Sequence, residues 1–258
     1  MVFGKIPFSF KSAKRKIKII ACEALSYEIK QAAAKSRHET DIELLAFGLH
    51  NTPDELRDTI QSQIDECEDQ DYELIALGYG LCSRGTADIV ARSIPIIIPR
   101  AHDCITLFLG SRERYNKEFA AHPGTYYYSP GWIDFKEGDV QQGFIDDVHE
   151  RNYQEKYRQY LEKYGEENAK YLIEQEQQWY QHYTRATFIN MGLGDIEAYR
   201  KFTHEIADSH NWEYAEIEGS MSLIERLVNL QWDEDDFLYV EPGHKIAESF
   251  DEDIIRED

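Results

Sequence analysis

The feature that most constrains the fold is the stretch from Tyr72 to Gly110. It contains two short apolar runs, 74–77 and 94–98, separated by a glycine-rich turn, 78–85, and an amphipathic segment, 86–92. Apolar, β-branched runs of this length are typical of strands buried on both faces of a parallel sheet. The order therefore predicts a strand, a glycine-rich loop, a helix and a second strand.

Similar runs extend this pattern toward the N-terminus. Strands are predicted at 17–21, 43–47, 74–78 and 94–98, with turn or helix-start residues between them. Parallel strands joined by helices form an α/β, doubly wound, Rossmann-like sheet. We therefore predict that the carboxyl ends of four parallel strands share one edge, which is where ligands bind in such sheets.

The last third of the chain repeats this alternation. Strands are predicted at 186–191, 213–217 and 237–240, with helices that begin at Asp195 and Ser220. A second, smaller α/β lobe is therefore expected.

The predicted domains are an N-terminal α/β lobe with a Cys/His site (1–135), a helical connection (136–184) and a C-terminal α/β lobe (185–258). The tyrosine run 126–128 is expected to form either a cleft wall or interface, or packed core. The acidic tail, 251–258, is expected to be frayed.

The charge of the chain excludes some partners. Its 258 residues include 49 acidic and 28 basic side chains, for a net charge of −21. Such a surface repels phosphate backbones and anionic lipids, so we expect neither nucleic acid nor a membrane as a partner. No apolar run approaches the length of a membrane span, and no signal-peptide pattern is present, which favours a cytoplasmic protein. The sequence leaves a homo-oligomer open.

Cysteine and histidine residues follow the predicted strands of the first lobe. The residues at these strand ends are Cys22, His50, Cys82, His102 and Cys104. Cysteines in a cytoplasmic chain are more often free, metal-bound or redox-active than paired in structural disulfides. Thiolate and imidazole suit zinc or iron–sulfur chemistry. We predict a metal site built from these five residues, with zinc as the first choice and an iron–sulfur cluster as the alternative.

The glycine-rich turn is the predicted cofactor-binding element. Its backbone N–H groups are expected to lower the pKa of the Cys82 thiol, with Arg84 adding positive charge. The predicted cofactor-binding residues are Gly78, Gly80, Arg84 and Arg100.

Each candidate ligand also has a simpler interpretation. A lone cysteine such as Cys22 is most often a small buried apolar residue. His50 can use its ring to satisfy the loop backbone, and Asp103 can cap or orient a neighbour. Cys67 lies in a predicted acidic helix away from any strand end, so we expect it to have no chemical role.

Six motifs are shared with one known family: Ala21-Cys22-Glu-Ala-Leu25, Leu49-His50-Asn-Thr-Pro53, Gly78-Tyr-Gly-Leu-Cys82, Ala101-His-Asp-Cys104, Pro123-Gly-Thr-Tyr126 and Asp236-Phe-Leu-Tyr-Val-Glu-Pro-Gly243. By these motifs the chain resembles the family named domain of unknown function 1638. Some members have adjacent histidine and cysteine where this chain has His102-Asp-Cys104, which leaves the roles of Asp103 and Cys104 open. Members often occur beside corrinoid-dependent methyltransferase systems, so the resemblance implies a corrinoid or one-carbon context.

Three functional hypotheses stay open. The first is a cytoplasmic metal-binding protein in which Cys22, Cys82 and Cys104 are thiolate ligands and a histidine completes the shell. The second is a metal-free thiol enzyme with Cys82 as nucleophile, His102 as base and Asp103 as orienting group. The third is a non-catalytic accessory protein that binds a corrinoid protein or a methyltransferase through its tyrosines and acidic helices.

Overall fold

The larger of two main sheets has a mostly parallel arrangement. The computed structural model describes residues 13–135, 157–177 and 182–258, with no side-chain description for 174–177. The five strands of this sheet, in spatial order, are Glu39–Leu45 (β2), Lys16–Cys22 (β1), Leu74–Gly78 (β3), Ile96–Pro99 (β4) and Phe237–Val240 (β8). The first four are parallel to one another, which confirms the predicted sheet and its shared carboxyl edge.

The smaller sheet is also parallel. Its three strands, in order, are Thr125–Tyr128 (β5), Arg185–Asn190 (β6) and Glu213–Glu218 (β7). Tyr126 and Tyr128 are buried in its core, whereas Tyr127 is half-buried on the opposite face. The predicted α/β fold with a second, smaller parallel unit is therefore confirmed.

The assignment of β8 to the second lobe was wrong. This strand pairs antiparallel with β4 and closes the larger sheet, with Leu238 opposite Ile98. All four of its residues are buried, which an apolar strand achieves only with layers on both faces. Conversely, β5 lies in the smaller sheet although it precedes residue 135. Sheet membership thus crosses the predicted boundary in both directions, and the boundaries as folding units stay a prediction.

The predicted helix over Thr86–Arg92 is also absent. These residues form turns and a bridge between Val90 and Lys245. The N–H groups of Asp88 and Ala91 donate to the distant carbonyls of Ile246 and His244, at 2.7 and 2.9 Å. Because the C-terminal segment takes up these backbone groups, no local helix forms.

The C-terminal tail is ordered, contrary to the expected fraying. Ile246–Glu248 (β9) and Ile255–Glu257 (β10) pair as an antiparallel hairpin. Ile254 and Ile255 are buried, so the acidic tail is held by an apolar anchor.

The helices surround the two sheets. They are Ser26–Lys35 (α1), Pro53–Asp65 (α2), Cys104–Leu109 (α3), Arg112–Ala121 (α4), Pro130–Asp134 (α5), a helix that includes 157–164 (α6), Glu166–Gln177 (α7), Ile196–His210 (α8) and Ser222–Val228 (α9). The predicted helical connection, 136–184, lies partly outside the described residues. In the parts that are described, no helix combines the length and apolarity required to cross a bilayer.

Candidate functional site

Two of the predicted strand-end loops meet through backbone contacts. Beyond β3 and β4, the N–H of Leu81 donates to the Ala101 carbonyl at 2.8 Å, and the N–H of Cys82 donates to the His102 carbonyl at 2.9 Å. A Cβ atom on Gly80 would lie 2.7 Å from the Ala101 carbonyl oxygen. The approach therefore requires glycine at position 80, and it brings Cys82 beside the loop that carries His102.

Cys22 joins this group through strand register. Ala21 pairs with Gly78 in the parallel ladder between β1 and β3, so Cys22, the last residue of β1, lies next to the position where Tyr79 leaves β3. A Cβ atom on Gly78 would lie 2.6 Å from the Ala21 Cβ, which shows how closely the strands pack here.

The turn that presents Cys82 has an uncommon backbone. Cys82, Ser83 and Arg84 are consecutive left-handed residues, with φ of 46°, 55° and 72°. Each such residue with a side chain costs about 1 kcal/mol. The Thr86 hydroxyl donates to the Gly80 carbonyl at 3.0 Å and helps to hold the turn. Strain of this kind is concentrated at functional sites, and here it fixes the position of a candidate ligand.

The three thiols influence one another. Burial raises the pKa of Cys82, with further increases from Asp103 and Cys22, although the Gly80 N–H opposes them. Burial also raises the pKa of Cys104, and Asp103, Cys82 and Cys22 add to it. The predicted lowering of the Cys82 pKa is therefore wrong, because loss of solvent outweighs the turn. Without a bound cation the Cys82 and Cys104 thiols are neutral at pH 7.

Tyr79 was not predicted, yet it belongs to this cluster. Its hydroxyl oxygen is buried and has no hydrogen-bond partner in the described part of the chain. Burial raises its pKa, and Cys22, Cys82 and Cys104 each raise it further. One phenol therefore lies within electrostatic reach of all three thiols. A buried hydroxyl without a partner costs roughly 1–3 kcal/mol, so a group that accepted a hydrogen bond from Tyr79 would stabilise the fold.

An aromatic group covers the side of the cluster nearest the smaller sheet. Trp132 lies close enough to Cys104 for its indole N–H to lower that thiol's pKa. The Trp132 ring packs at 5.2 Å from Phe47 and stacks on His50 at 6.3 Å. His50 bonds the Phe47 carbonyl through Nδ1 at 2.8 Å, which matches the simpler interpretation of its ring.

Asp103 has a structural role. It caps α3 by accepting the Ile105 N–H at 3.0 Å, and the Tyr115 hydroxyl donates to its other oxygen at 3.3 Å. The alternative that Asp103 caps a neighbour is thus confirmed. His102 is exposed, with its ring 6.2 Å from that of Tyr115. No hydrogen bond joins the His102 ring to Cys82 among the described residues, so the predicted nucleophile–base contact is missing.

The two predicted cofactor-binding arginines have other partners. Arg84 forms an ion pair with Glu248 at 2.5 Å. Arg100 donates to the carbonyls of Glu234 and Asp253, at 3.0 and 3.2 Å, and to that of Ile255. A cofactor role for Arg100 would require it to release the C-terminal tail.

Cys67 lies in the turn after α2 rather than in the predicted helix, and the expectation that it has no chemical role stays a prediction. It is buried, donates to the Gln63 carbonyl at 3.1 Å, and has Lys18 and Asp41 as its charged neighbours rather than the other cysteines. Its distance from the strand-end cluster makes it a suitable internal control.

The cysteine side chains have the chemistry of ligands for a soft metal, but they are not spaced to bind one. All four cysteines are free thiols. Within the described ranges, no three or more His, Cys, Asp or Glu side chains are spaced to hold a metal ion. Binding would therefore require the thiols to lose their protons and move together, which a cation favours because it lowers the pKa of its ligands.

Tyr79 and Trp132 differ in how far the sequence could have revealed them. Tyr79 stands inside the glycine-rich turn, directly after β3, so the strand-end argument could have included it. Trp132 follows Pro130 and Gly131 in α5, and only the packing of the smaller sheet brings it over Cys104.

Comparison with known proteins identifies a family. No curated protein and no solved structure matches the chain. Residues 44–228 match the family model described as "Protein of unknown function (DUF1638)". That range includes Cys82, His102 and Cys104, while Cys22 precedes it. Because the match covers more than half of the sequence, the chain belongs to the DUF1638 family.

Proposed function

We propose that this chain is a cytoplasmic metal-binding protein in which Cys22, Cys82 and Cys104 hold a soft metal centre. Zinc is the first choice and an iron–sulfur cluster is the alternative, because three thiolates suit both. The three cysteines follow or end three separate strands of one sheet, and a thiolate is the softest ligand that a protein side chain offers.

The observation that carries this proposal is the Tyr79 hydroxyl. It is buried without a partner while three thiols act on it. A group that is only structural would be expected to have its hydrogen bond satisfied. A metal–thiolate centre would supply negatively charged sulfur to accept from this phenol.

A three-thiolate centre leaves one coordination position for a fourth group. The exposed His102 could occupy it, or it could stay open to a substrate. A metal with an open position activates a bound thiol or polarises a substrate oxygen. This is consistent with the corrinoid and one-carbon setting that the family resemblance implies, with a corrinoid protein or methyltransferase as partner.

Two matched serine variants test the proposal. The full chain, purified without oxygen, should contain about one metal centre per molecule by elemental analysis. Cys82→Ser should lose most of the metal, since an alcohol is a poor replacement for a soft ligand. Cys67→Ser should retain it, because Cys67 is distant from the cluster. Visible absorption separates a coloured iron–sulfur centre from colourless zinc.

Acidification provides a second measurement on the same samples. Metal affinity should fall as the pH is lowered, because protons compete for the thiolates. A wild-type content below about 0.1 metal per chain, too low for a site coupled to folding, would contradict the proposal. Equal retention by both variants would show that the ligands lie elsewhere.

A further inference from the structure

The smaller sheet carries a polar group on one face. Thr125 pairs with Arg185, and Tyr127 pairs with Thr187, in the parallel ladder between β5 and β6. Because side chains alternate along a strand, these four residues share one face of the sheet. The opposite face carries the apolar core that packs against α8.

Several donors in this group have no partner. The Nε and Nη1 atoms of Arg185 are buried and unbonded in the described part of the chain, as is the hydroxyl of Thr187. Thr187 is 0% exposed. The Thr125 hydroxyl also has no hydrogen-bond partner among the described residues, although it lies near enough to Tyr127 to lower the pKa of that phenol.

Arg185 is half-buried, and leaving its buried Nε and Nη1 groups without an acceptor is costly. Buried charges in proteins are normally paired, and each unsatisfied donor forfeits the hydrogen bond it made to water. By contrast, Arg200 on α8 is partly exposed and bonds two carboxylates, Glu197 and Glu216. The two arginines belong to the same half of the fold, so the unpaired state of Arg185 is a property of its position.

The chemistry of these donors defines their ligand. A guanidinium only donates, and its planar fork matches the two oxygens of a carboxylate or phosphate. Hydroxyl groups can donate to the same oxygens. We propose that Arg185, with Thr187 and Thr125, binds the oxyanion end of a small molecule, either a carboxylate or a phosphate.

The position of this site relative to the thiols is informative. Tyr127 packs against the same buried core as Cys82 and Cys104, and its pKa is lowered by Arg185 and raised by Asp103. Glu118 also raises the pKa of Tyr127, more strongly than Asp103 does. A molecule anchored by its oxyanion would therefore lie on the side of the sheet that faces the candidate metal centre, although the anchor does not depend on that centre.

Calorimetric titration of the full chain tests the proposal with inorganic phosphate in one arm and succinate in the other, at constant ionic strength. Wild-type protein should bind at least one of them saturably, with a dissociation constant below about 1 mM. Thr187→Val, which keeps the shape but removes the hydroxyl, should weaken binding roughly tenfold. Arg185→Gln should abolish it, whereas the matched control Arg200→Gln should not change it.

Thermal unfolding without ligand separates binding from folding. Arg185→Gln removes buried guanidinium N–H groups that have no acceptor within the described ranges, so its melting temperature should equal or exceed that of the wild type. A lower melting temperature together with unaltered anion affinity would assign Arg185 a structural role and overturn the proposal. The absence of saturable binding of either anion up to about 10 mM would also overturn it. Neither result depends on metal content, so it would leave the metal proposal intact.

Discussion

The carboxyl edges of the parallel strands in the two sheets differ in whether their polar groups have hydrogen-bond partners. At the edge of the smaller sheet, Asn190 donates to Glu216 at 2.8 Å, and Arg200 donates to the other oxygen of the same carboxylate at 2.7 Å. At the edge of the larger sheet, the Tyr79 hydroxyl has no hydrogen-bond partner within the described ranges, although Cys22, Cys82 and Cys104 all raise its pKa.

The difference separates structural polar groups from candidate ligands. An open groove runs along the edge of the smaller sheet, yet its lining side chains Asn190 and Glu216 already bond to each other. A self-satisfied network gains little from a ligand, whereas an unsatisfied hydroxyl gains a full hydrogen bond.

The backbones of the two edges also accommodate left-handed turns differently. After β6 the positive φ angles fall on Gly192 and Gly194, at 70° and 72°, where they carry no steric penalty. After β3 they fall on three consecutive residues with side chains, including Cys82. The larger sheet therefore bears strain in order to present specific side chains.

The largest expected effect comes from adding one methyl group at the edge of the larger sheet, with the same change at the edge of the smaller sheet as the control. In Gly80→Ala the new Cβ would meet two backbone atoms, the Ala101 carbonyl oxygen at 2.7 Å and the Asp103 nitrogen at 2.8 Å. The loops would have to separate, so we expect a loss of about 4 kcal/mol in the free energy of unfolding. The metal centre should be lost as well. Chemical denaturation followed by tryptophan fluorescence measures the first quantity.

Gly192→Ala is the matched control at the other edge. Its Cβ would enter open space, so only the left-handed φ of 70° opposes it. We expect a loss of about 1 kcal/mol and no change in metal content. Similar losses in the two variants would mean that the tight approach of the strand-end loops is not what holds the larger edge together.

The sequence was sufficient to predict the parallel core. The run 74–77 is apolar throughout and is fully buried in β3, and this pattern needs no information about distant residues. The edge strand β2 was placed four residues too late at its start, because it alternates charged residues such as Asp41 with partly buried ones. Periodicity identifies buried central strands more reliably than strands at a sheet edge.

The predictions failed where segments distant in the sequence bond to a backbone or bury a side chain. The predicted helix after Gly85 was displaced by contacts with the C-terminal hairpin, and β8 joined a sheet about 140 residues away in sequence. The Cys82 pKa depends on burial by several elements, which a local turn motif does not report. Convergence of the thiols was predictable, but their protonation and the missing partner of Tyr79 were not.

Glu28 extends the comparison to a buried carboxylate. This residue of α1 is 0% exposed, and neither of its oxygens has a hydrogen-bond partner in the described residues. Burial raises its pKa from 4.5 to about 7. The folded-state pKa of Glu28 exceeds its unfolded value. Its contribution to the free energy of unfolding is therefore fully present below about pH 4.5 and is lost as the pH rises through about 7. The shift corresponds to about 3 kcal/mol.

The slope of stability against pH tests this assignment. Glu28→Gln should remove most of that decline between pH 5 and pH 8 in denaturant titrations, values chosen to span the shift. Glu216 provides the opposite sign: hydrogen bonds from Arg200 lower its pKa, so its contribution is lost as the pH falls through its folded value. An unchanged slope in Glu28→Gln would show that another group causes the pH dependence.

The smallest expected effect tests whether the smaller edge is as self-contained as its hydrogen bonds suggest. Arg200 bridges Glu197 at 2.5 Å and Glu216 at 2.7 Å, but its side chain is 38% exposed, so solvent screens both pairs. Arg200→Gln should therefore cost less than about 1 kcal/mol, with a smaller loss at high salt, and leave metal content unchanged. Thermal unfolding at two salt concentrations and elemental analysis measure these outcomes. A loss of metal in Arg200→Gln would show that the edges of the two sheets are coupled, because no hydrogen bond of the Arg200 network within the described ranges reaches the thiols. A small loss of stability with unchanged metal content would mean that metal binding depends on the edge of the larger sheet alone.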